Sequence, residues 1–330
     1  MRKVALLFPL VLALAGCGGG GDETLTVYSG REEEIVEPLL DQFEEATGIE
    51  IAVRYGDSAE LAATIAEEGE NSPADVFFAQ DPGSLGAVEQ EGLLAELPQE
   101  ILDRVEPRFR DPQGHWIGTS GRVRVVAYNT DVLSEDDLPD SILGFTDPRW
   151  RGKIGFPPTN ASFQAFVTTM RLSLGDEPTR EWLEGIKANQ PKLYEKNLPT
   201  VEAVGRGEVE VGFVNHYYLF LAKEENPDLP VANHYLRAGD PGALVSVAGV
   251  GILEESDAAE RFVEFLLSDE GQRFYAEEAE EAEYPLVAGI APRAGLPALD
   301  ELHGPEIELD ELGPELARTL ELLNEVGFTS

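Results

Sequence analysis

Apolar runs and amphipathic segments alternate along residues 25–91. Ile35, Leu39, Leu40 and Phe43 recur at helical spacing, and Gly48 follows as a helix stop. The pattern predicts strands over residues 25–28, 49–55 and 74–79. It predicts helices over about 31–46, over 58–68 with Ser58 as the cap, and from 82 to about 91. This alternation indicates a doubly wound α/β fold.

A second α/β block follows residues 116–129, which contain a predicted strand at 121–128 that is long enough to leave one lobe and enter another. The pattern predicts a strand at 154–156, a helix at 163–174, a helix around Trp182 and a buried strand at 209–214. Residues 240–247 resemble a second crossing strand that continues at 250–253. Further helices are expected at 257–267, around 272–280 and at 312–326. At 330 residues the chain has room for about two domains.

Two adjacent tyrosines, Tyr217 and Tyr218, follow the strand at 209–214. Asn215 is expected to cap a helix whose first turn carries both phenols and which runs to about Lys223. Ligands of open α/β sheets bind where a strand ends and a helix begins, and the helix N-terminus favours anions. A phenolate is also a hard oxygen ligand for a hard cation. The alternative is that both residues are half-buried aromatics with hydrated hydroxyls.

The N-terminus has the features of an export signal. Arg2 and Lys3 precede an apolar stretch at residues 4–14, and Cys17 follows Leu14-Ala15-Gly16. This predicts a lipoprotein signal at residues 1–16 and a lipidated Cys17 with a flexible tether at 17–23, although cleavage after Ala15 is an alternative. No later apolar run reaches the ~18 residues that span a bilayer. We therefore expect an extracytoplasmic protein, periplasmic or at the cell surface, whose lipid anchors it to the membrane.

The amino-acid composition argues against several classes of function. Cys17 is the single cysteine, so the chain has neither a disulfide nor a cysteine-based metal site. The formal net charge is −39, and loss of Arg2 and Lys3 with the signal would leave −41. Such a chain is not expected to bind nucleic acid, which requires basic patches. The acidic residues favour solvation of exposed helix faces over recognition of a cationic ligand.

Seven short motifs occur in an order that resembles the ferric-iron-binding proteins, the substrate-binding subunits of iron ABC importers. They are Val27-Tyr28-Ser29-Gly30-Arg31, Ala74-Asp75-Val76-Phe77-Phe78, Gly121-Arg122-Val123-Arg124-Val125, Pro158-Thr159-Asn160-Ala161-Ser162-Phe163, Asn215-His216-Tyr217-Tyr218, Asp240-Pro241-Gly242-Ala243-Leu244 and Glu283-Tyr284-Pro285-Leu286. The resemblance covers about residues 24–327. It implies the two-lobed type II periplasmic-binding-protein fold, with two hinge strands and a ligand cleft between lobe 1 (24–122 plus 247–297) and lobe 2 (123–246 plus 298–330).

The resemblance also implies a function. The protein would be a monomer that captures ferric iron and delivers it to the permease and ATPase subunits of an ABC transporter. Tyr217 and Tyr218 match the iron-ligating tyrosines of the family. Glu32 stands where some members carry a histidine, and its carboxylate could serve as a hard ligand; the alternative is an ordinary first-turn glutamate that the helix dipole favours. Gln80 stands where some members carry a glutamate. Gln80 is a poor ferric ligand; Asp81 is chemically better, but its alternative role is to cap the helix that begins at Pro82.

Family members hold a synergistic anion, carbonate or phosphate, beside the metal. Asn160, Ala161 and Ser162 match the loop that supplies donors to it, and Asn197 and Asn215 match further donors. Arg122 and Arg124 are two residues apart on the crossing strand, so both side chains should point the same way and could bind the anion. The alternative is that both are salt-bridged cleft residues. A third tyrosine that some relatives carry near Ser162 is absent, which suggests greater dependence on the anion or on Glu32.

Two other functions are alternatives to iron capture. The same scaffold could bind thiamine, a polyamine or an oxyanion, with the tyrosines stacking on the ligand. An enzyme is not expected, because the sequence has no phosphate-binding loop of the Walker type, no His-Glu-x-x-His motif and no Gly-x-Ser-x-Gly elbow. His216 is not expected to bind metal, since neighbouring residues in a helix do not share a face.

Overall fold

The structure, a computed structural model, describes residues 24–279 and 282–329. The predicted signal segment and Cys17 lie outside this part of the chain. None of the described helices is both long enough and apolar enough to cross a bilayer.

The first part of the chain forms the predicted alternation of strands and helices. Its elements are β1 (Thr24–Ser29), α1 (Glu33–Thr47), β2 (Glu50–Tyr55), α2 (Ser58–Glu68), β3 (Val76–Ala79), α3 (Pro82–Gln90) and the single turn α4 (Gln99–Leu102). Strand β1 lies between β2 and β3 and is parallel to both, with Val27 opposite Val53 and Val76. Gly48 ends α1 with a φ of 73°, as expected for a left-handed C-cap.

The remainder of the chain contributes the other strands and helices. These are β4 (Trp116–Asn129), β5 (Ile154–Phe156), α5 (Ala161–Leu174), α6 (Asp176–Ala188), β6 (Lys192–Leu193), α7 (Asn197–Gly205), β7 (Val211–Asn215), α8 (Tyr218–Glu225), β8 (Val231–His234), β9 (Val245–Ile252), α9 (Asp257–Leu266), α10 (Asp269–Arg273), β10 (Tyr284–Pro285) and α11 (Leu316–Val326). A turn of π-helix at Phe274–Glu278 follows α10, where the sequence predicted one longer helix.

Strand β4 joins the two halves of the molecule. Its first half pairs antiparallel with β9, where Val123 is opposite Val245, and its second half pairs antiparallel with β7, where Arg124 is opposite Asn215. The strands follow the order β2-β1-β3-β9-β4-β7-β5-β6, while β8 and β10 also pair with β4. The change of partner at residues 123–124 places this point of β4 between the two halves.

Several predicted boundaries were wrong, and each error involves a cap or a turn. Asn215 does not cap α8: it is the last residue of β7, and Tyr217 occupies the cap position without a side-chain cap. The carboxylate of Asp57, rather than Ser58, caps α2. Residues 240–244 form a turn, so the second crossing strand begins at Val245. Helix α11 begins at residue 316 rather than 312.

Two groups of buried apolar side chains hold these layers together. One contains the β3 residues Phe77 and Phe78 and the helices around them. The other contains Phe156 and Phe213 together with Leu322 of α11, which packs against α5 and α6. Full burial of a side chain of this size stabilises the fold by roughly 1.5–3 kcal/mol. These cores support the strand ends from which the site residues project.

Candidate functional site

A cleft of about 920 Å³ opens between the two halves of the molecule. It lies at the carboxyl ends of β1, β3 and β7, where open α/β sheets bind ligands. Eleven of the predicted metal and anion residues line it: Glu32, Gln80, Asp81, Arg122, Arg124, Asn160, Ala161, Ser162, Asn215, Tyr217 and Tyr218. Asn197 is buried just behind this wall and donates hydrogen bonds to Asn160 and Ser162. Residues from separate parts of the sequence therefore share one cavity.

The adjacent tyrosines lie where β7 gives way to α8. Tyr217 is buried, with 4 % of its surface exposed, and Tyr218 is half-buried at the cleft. Their ring centroids are 4.3 Å apart at an interplanar angle of 33°. Both side chains line the same cleft although they are consecutive in the sequence.

Arg124 is a buried cation beside the tyrosines. Its Nη1 donates to Oδ1 of Asn215 at 3.1 Å, to Oγ of Ser162 at 3.2 Å and to Oδ1 of Asn197 at 3.5 Å. Burial lowers the pKa of Arg124 to about 9, although attraction to Tyr217 and Tyr218 opposes the shift. The group is therefore charged at neutral pH. Its Nη2 has no hydrogen-bond partner among the described residues, so this atom can donate to a ligand in the cleft.

The loop before α5 is organised around the side chain of Asn160. Its Oδ1 accepts hydrogen bonds from the backbone N–H of Ser162 at 3.0 Å, from the hydroxyl of Ser162 at 2.6 Å and from Nδ2 of Asn197 at 3.0 Å. Asn160 is the N-cap of α5, and Ala161 is the first residue of that helix. The site thus combines the positive end of a helix with oriented polar groups, an arrangement that favours an anion.

Arg122 is held differently from Arg124. Its Nη1 lies 3.7 Å from Oε1 of Glu283, and its Nη2 donates to the carbonyl of Val247 at 3.4 Å. Both contacts are long for charge-assisted bonds. Arg122 thus forms a long salt bridge with Glu283, which is the alternative expected from the sequence. Arg124 differs, because its hydrogen-bond partners are amide and hydroxyl oxygens.

Glu283 is a buried carboxylate, and the sequence motif that contains it predicts no role for this side chain. Its Oε2 accepts from Nη2 of Arg31 at 3.0 Å and from the hydroxyl of Ser120 at 2.6 Å. Burial alone would raise the pKa of Glu283, but Arg31 and Arg122 hold it below the ordinary value. One carboxylate thus partly neutralises two arginines that line the cleft. Only the tertiary structure brings together partners separated by 252 positions along the chain.

The predicted first-lobe residues differ in how much freedom they have. Glu32 is exposed at the start of α1, and its side chain makes no cap hydrogen bond. Asp81 caps α3: its carboxylate oxygens accept from the backbone N–H and the hydroxyl of Ser84, at 2.8 and 2.9 Å. Gln80 is half-buried, and its backbone N–H donates to Ser58. Of these three, Glu32 is the carboxylate without such a structural bond.

In the described part of the chain, histidines and carboxylates alone do not form a metal site. Within residues 24–279 and 282–329, no three His, Cys, Asp or Glu side chains are placed to hold a metal ion together. His216 is buried next to Tyr217, and burial lowers its pKa to about 4, so the ring is neutral at neutral pH.

Comparison with known proteins places the chain among transport proteins. Residues 71–300 match the family model described as bacterial extracellular solute-binding protein. The chain is 32% identical to the Fe(3+)-binding periplasmic protein of Serratia marcescens, over 99% of this chain and 98% of that protein. It is 36% identical to iron-bound HitA from Pseudomonas aeruginosa, with a TM-score of 0.81 over 92% of this chain and 99% of that one.

A third relative has a more distant sequence. The structure of Trichodesmium IdiA, also called FutA, in complex with iron and citrate ligands is 26% identical, with a TM-score of 0.80 over 93% of this chain and all of that one. The matches confirm the predicted two-lobed periplasmic-binding-protein fold and a solute-binding family rather than an enzyme family. The chain belongs to the family of bacterial extracellular solute-binding proteins, alongside relatives named for binding ferric iron.

Proposed function

We propose that this protein captures ferric iron outside the cytoplasm for uptake by an ABC transporter. The observation that carries the proposal is the pair Tyr217 and Tyr218, whose rings lie 4.3 Å apart at a cleft between two halves of the molecule. The names of its relatives favour iron over thiamine or a polyamine as the ligand.

The chemistry of the donors fits a trivalent cation. Phenols have a pKa near ~10, so a strongly charged ion must displace the protons, and binding releases them. Two phenolates leave one positive charge on Fe³⁺. The exposed carboxylate of Glu32 is our candidate for a third protein ligand, with Asp81 and Gln80 as weaker candidates because of their structural bonds and neutral charge, respectively.

A synergistic anion would complete the site, and Arg124 is its main protein partner in this proposal. The unpartnered Nη2 of Arg124, the helix end at Ala161, and the polar groups of Asn160, Ser162, Asn197 and Asn215 surround one side of the cleft. Arg122 lines the same cleft and is loosely held by Glu283. Carbonate or phosphate suits this set of donors, and one relative was solved with citrate and iron.

The partners follow from the family. Extracellular solute-binding proteins serve ABC transporters, so permease and ATPase subunits are the proposed partners. We propose further that the chain is a monomer anchored through a lipid on Cys17, which mass spectrometry of the mature N-terminus tests. We also propose two lobes, 24–122 plus 247–297 and 123–246 plus 298–330. An apolar core that joins side chains between positions 126 and 243 to Leu322, Leu323, Val326 and Phe328 supports the second lobe. Leu302, Leu309 and Leu312 instead belong to the core that contains Phe77 and Phe78, so they do not support the assignment of 298–312 to that lobe.

Removal of each phenol oxygen tests the proposal. Purified wild type, Tyr217→Phe, Tyr218→Phe and the double variant are titrated with ferric citrate, and visible absorbance and protein fluorescence are followed. We expect a phenolate-to-iron absorption band in the wild type, at least tenfold weaker binding in each single variant, and loss of band and binding in the double variant. Phenylalanine keeps most of the packing, so the fold should survive.

Tyr194→Phe is the matched control. Tyr194 lies outside the cleft, and its hydroxyl has no hydrogen-bond partner among the described residues. This variant should bind iron like the wild type. If the folded double variant bound ferric iron at wild-type strength, the tyrosines would be ordinary aromatics and the proposal would lose its main support.

A further inference from the structure

His216 connects the tyrosine pair to the strand that crosses between the halves. Its backbone N–H donates to the carbonyl of Val123 at 2.9 Å, and its ring Nδ1 accepts from the backbone N–H of Val123 at 3.2 Å. Val123 lies where β4 exchanges its partner β9 for β7. The residue before Tyr217 is therefore fixed to β4 by both its backbone and its side chain.

The other ring nitrogen points toward a different segment. Nε2 of His216 lies 3.0 Å from the carbonyl oxygen of Ala282, which can only accept, so this nitrogen carries the proton. Ala282 has a φ of 46°, an uncommon value for a residue with a side chain. The next residue, Glu283, holds Arg31 and Arg122 of the cleft. His216 thus bridges the tyrosine side of the cleft and its arginine side.

The ring also packs directly on aromatic neighbours. It meets Tyr217 edge to face, with centroids 5.7 Å apart at 89°, and lies 4.9 Å from the ring of Tyr284. Its backbone carbonyl accepts from Nδ2 of Asn233 at 2.8 Å. A fully buried ring held on so many sides limits the positions that Tyr217 can adopt.

We infer that His216 is a positioning residue, which orients Tyr217 for iron and ties the occupied site to β4 and to the Ala282–Glu283 segment. This inference rests on the proposed ferric function. His216 need not touch the metal, because groups behind a metal ligand set its orientation, and their loss commonly costs about 10- to 100-fold in metal affinity.

Three substitutions separate the two ring contacts. His216→Phe keeps a ring of similar size and loses both hydrogen bonds. His216→Asn keeps an acceptor near the position of Nδ1, and His216→Gln keeps a donor near the position of Nε2. For the iron-loaded protein, we expect His216→Phe to shift the phenolate-to-iron band and to release iron to a chelator at least tenfold faster. The Asn and Gln variants should fall between it and the wild type.

His234→Phe is the matched control for a purely structural effect. His234 is also a buried histidine with two ring hydrogen bonds, to Glu135 and to the carbonyl of Pro139, and it does not line the cleft. This variant should lower the melting temperature without changing the band or the rate of iron release.

The outcomes are distinct. If His216→Phe melted earlier but kept the wild-type band and release rate, His216 would be a packing residue and the inference would be overturned. If His216→Phe failed to fold, wild-type bands and release rates in both the Asn and Gln variants would overturn it equally. A wild type without the band would instead refute the ferric proposal, and this inference with it.

Discussion

Charge balance decides which individual residues can complete a ferric site here. Two phenolates cannot neutralise a trivalent ion, and Glu32 is an exposed carboxylate on the cleft wall that makes no cap hydrogen bond. Glu283 is not available for this role, because its carboxylate is buried against Arg31, Arg122 and Ser120. The difference between these two glutamates comes from their surroundings rather than from their type.

Glu32→Gln tests this assignment with little change in size. Loss of the negative charge should weaken ferric binding by about tenfold or more, since an amide is a poor ligand for a hard trivalent ion. The phenolate band should persist, because both tyrosines remain. Glu37→Gln removes the same charge from an exposed position of α1 that does not line the cleft, and should leave binding unchanged. Equal affinities of the two variants in ferric titrations would remove Glu32 from the ligand set.

Local sequence patterns predict which residues lie at the cleft only when the residue's position follows from its own strand or helix. Tyr217, Arg122 and Arg124 were placed by local rules: a strand–helix junction and the two-residue repeat of a strand. The roles of His216 and Glu283 depend on partners 66 and 252 positions away, to which no local pattern refers.

The N-terminus of α5 carries both a helix cap and residues of the proposed anion site. Asn160 caps the helix and also orders Ser162 and Asn197, two of the three residues whose oxygens accept hydrogen bonds from Arg124. A single amide side chain therefore affects both the stability of α5 and the direction in which the guanidinium points.

Asn160→Ala should separate these effects from an ordinary loss of a cap. The lost cap should cost about 1 kcal/mol of stability. The loosened loop should also raise, several-fold, the concentration of carbonate or phosphate needed for half-maximal iron binding. Ser256→Ala removes a comparable cap from α9, where Ser256 accepts from the N–H of Ala259 at 3.1 Å, and should reduce stability alone. Parallel thermal melts and anion titrations measure both quantities, and identical anion requirements in the two variants would contradict the role of Asn160.

Elements were predicted better than their ends. Strand β5 has its predicted bounds, whereas β4 covers residues 116–129, of which 121–128 were predicted as the strand. Asn215 was wrongly placed as a cap because its side-chain oxygen accepts from Arg124, a tertiary partner that competes with local capping. Aspartate and serine are both favoured at the N-cap of a helix, so the sequence alone does not show whether Asp57 or Ser58 caps α2.

If the cleft closes around its ligand, two walls of a strongly acidic protein must approach each other. The net charge is −39, and the exposed cleft-facing positions Ala59, Ala63 and Ala66 of α2 carry no charge. Ala161 and Ala165 of α5 also line the cleft. Small uncharged side chains allow close approach where paired glutamates would repel.

Closure around iron should therefore depend on the uncharged wall that Ala59, Ala63 and Ala66 of α2 form. We expect small-angle scattering to show a more compact wild-type protein when ferric iron and an anion are bound, as in hinge closure of binding proteins. Ala63→Glu places a bulky negative charge on the wall, so the loaded variant should compact less and release iron faster, and added salt should partly restore both by screening the charge. Ala46→Glu makes the same change at an exposed position of α1 outside the cleft and should behave as the wild type. An Ala63→Glu protein that compacts and retains iron like Ala46→Glu would show that α2 does not meet the opposite wall when the cleft closes.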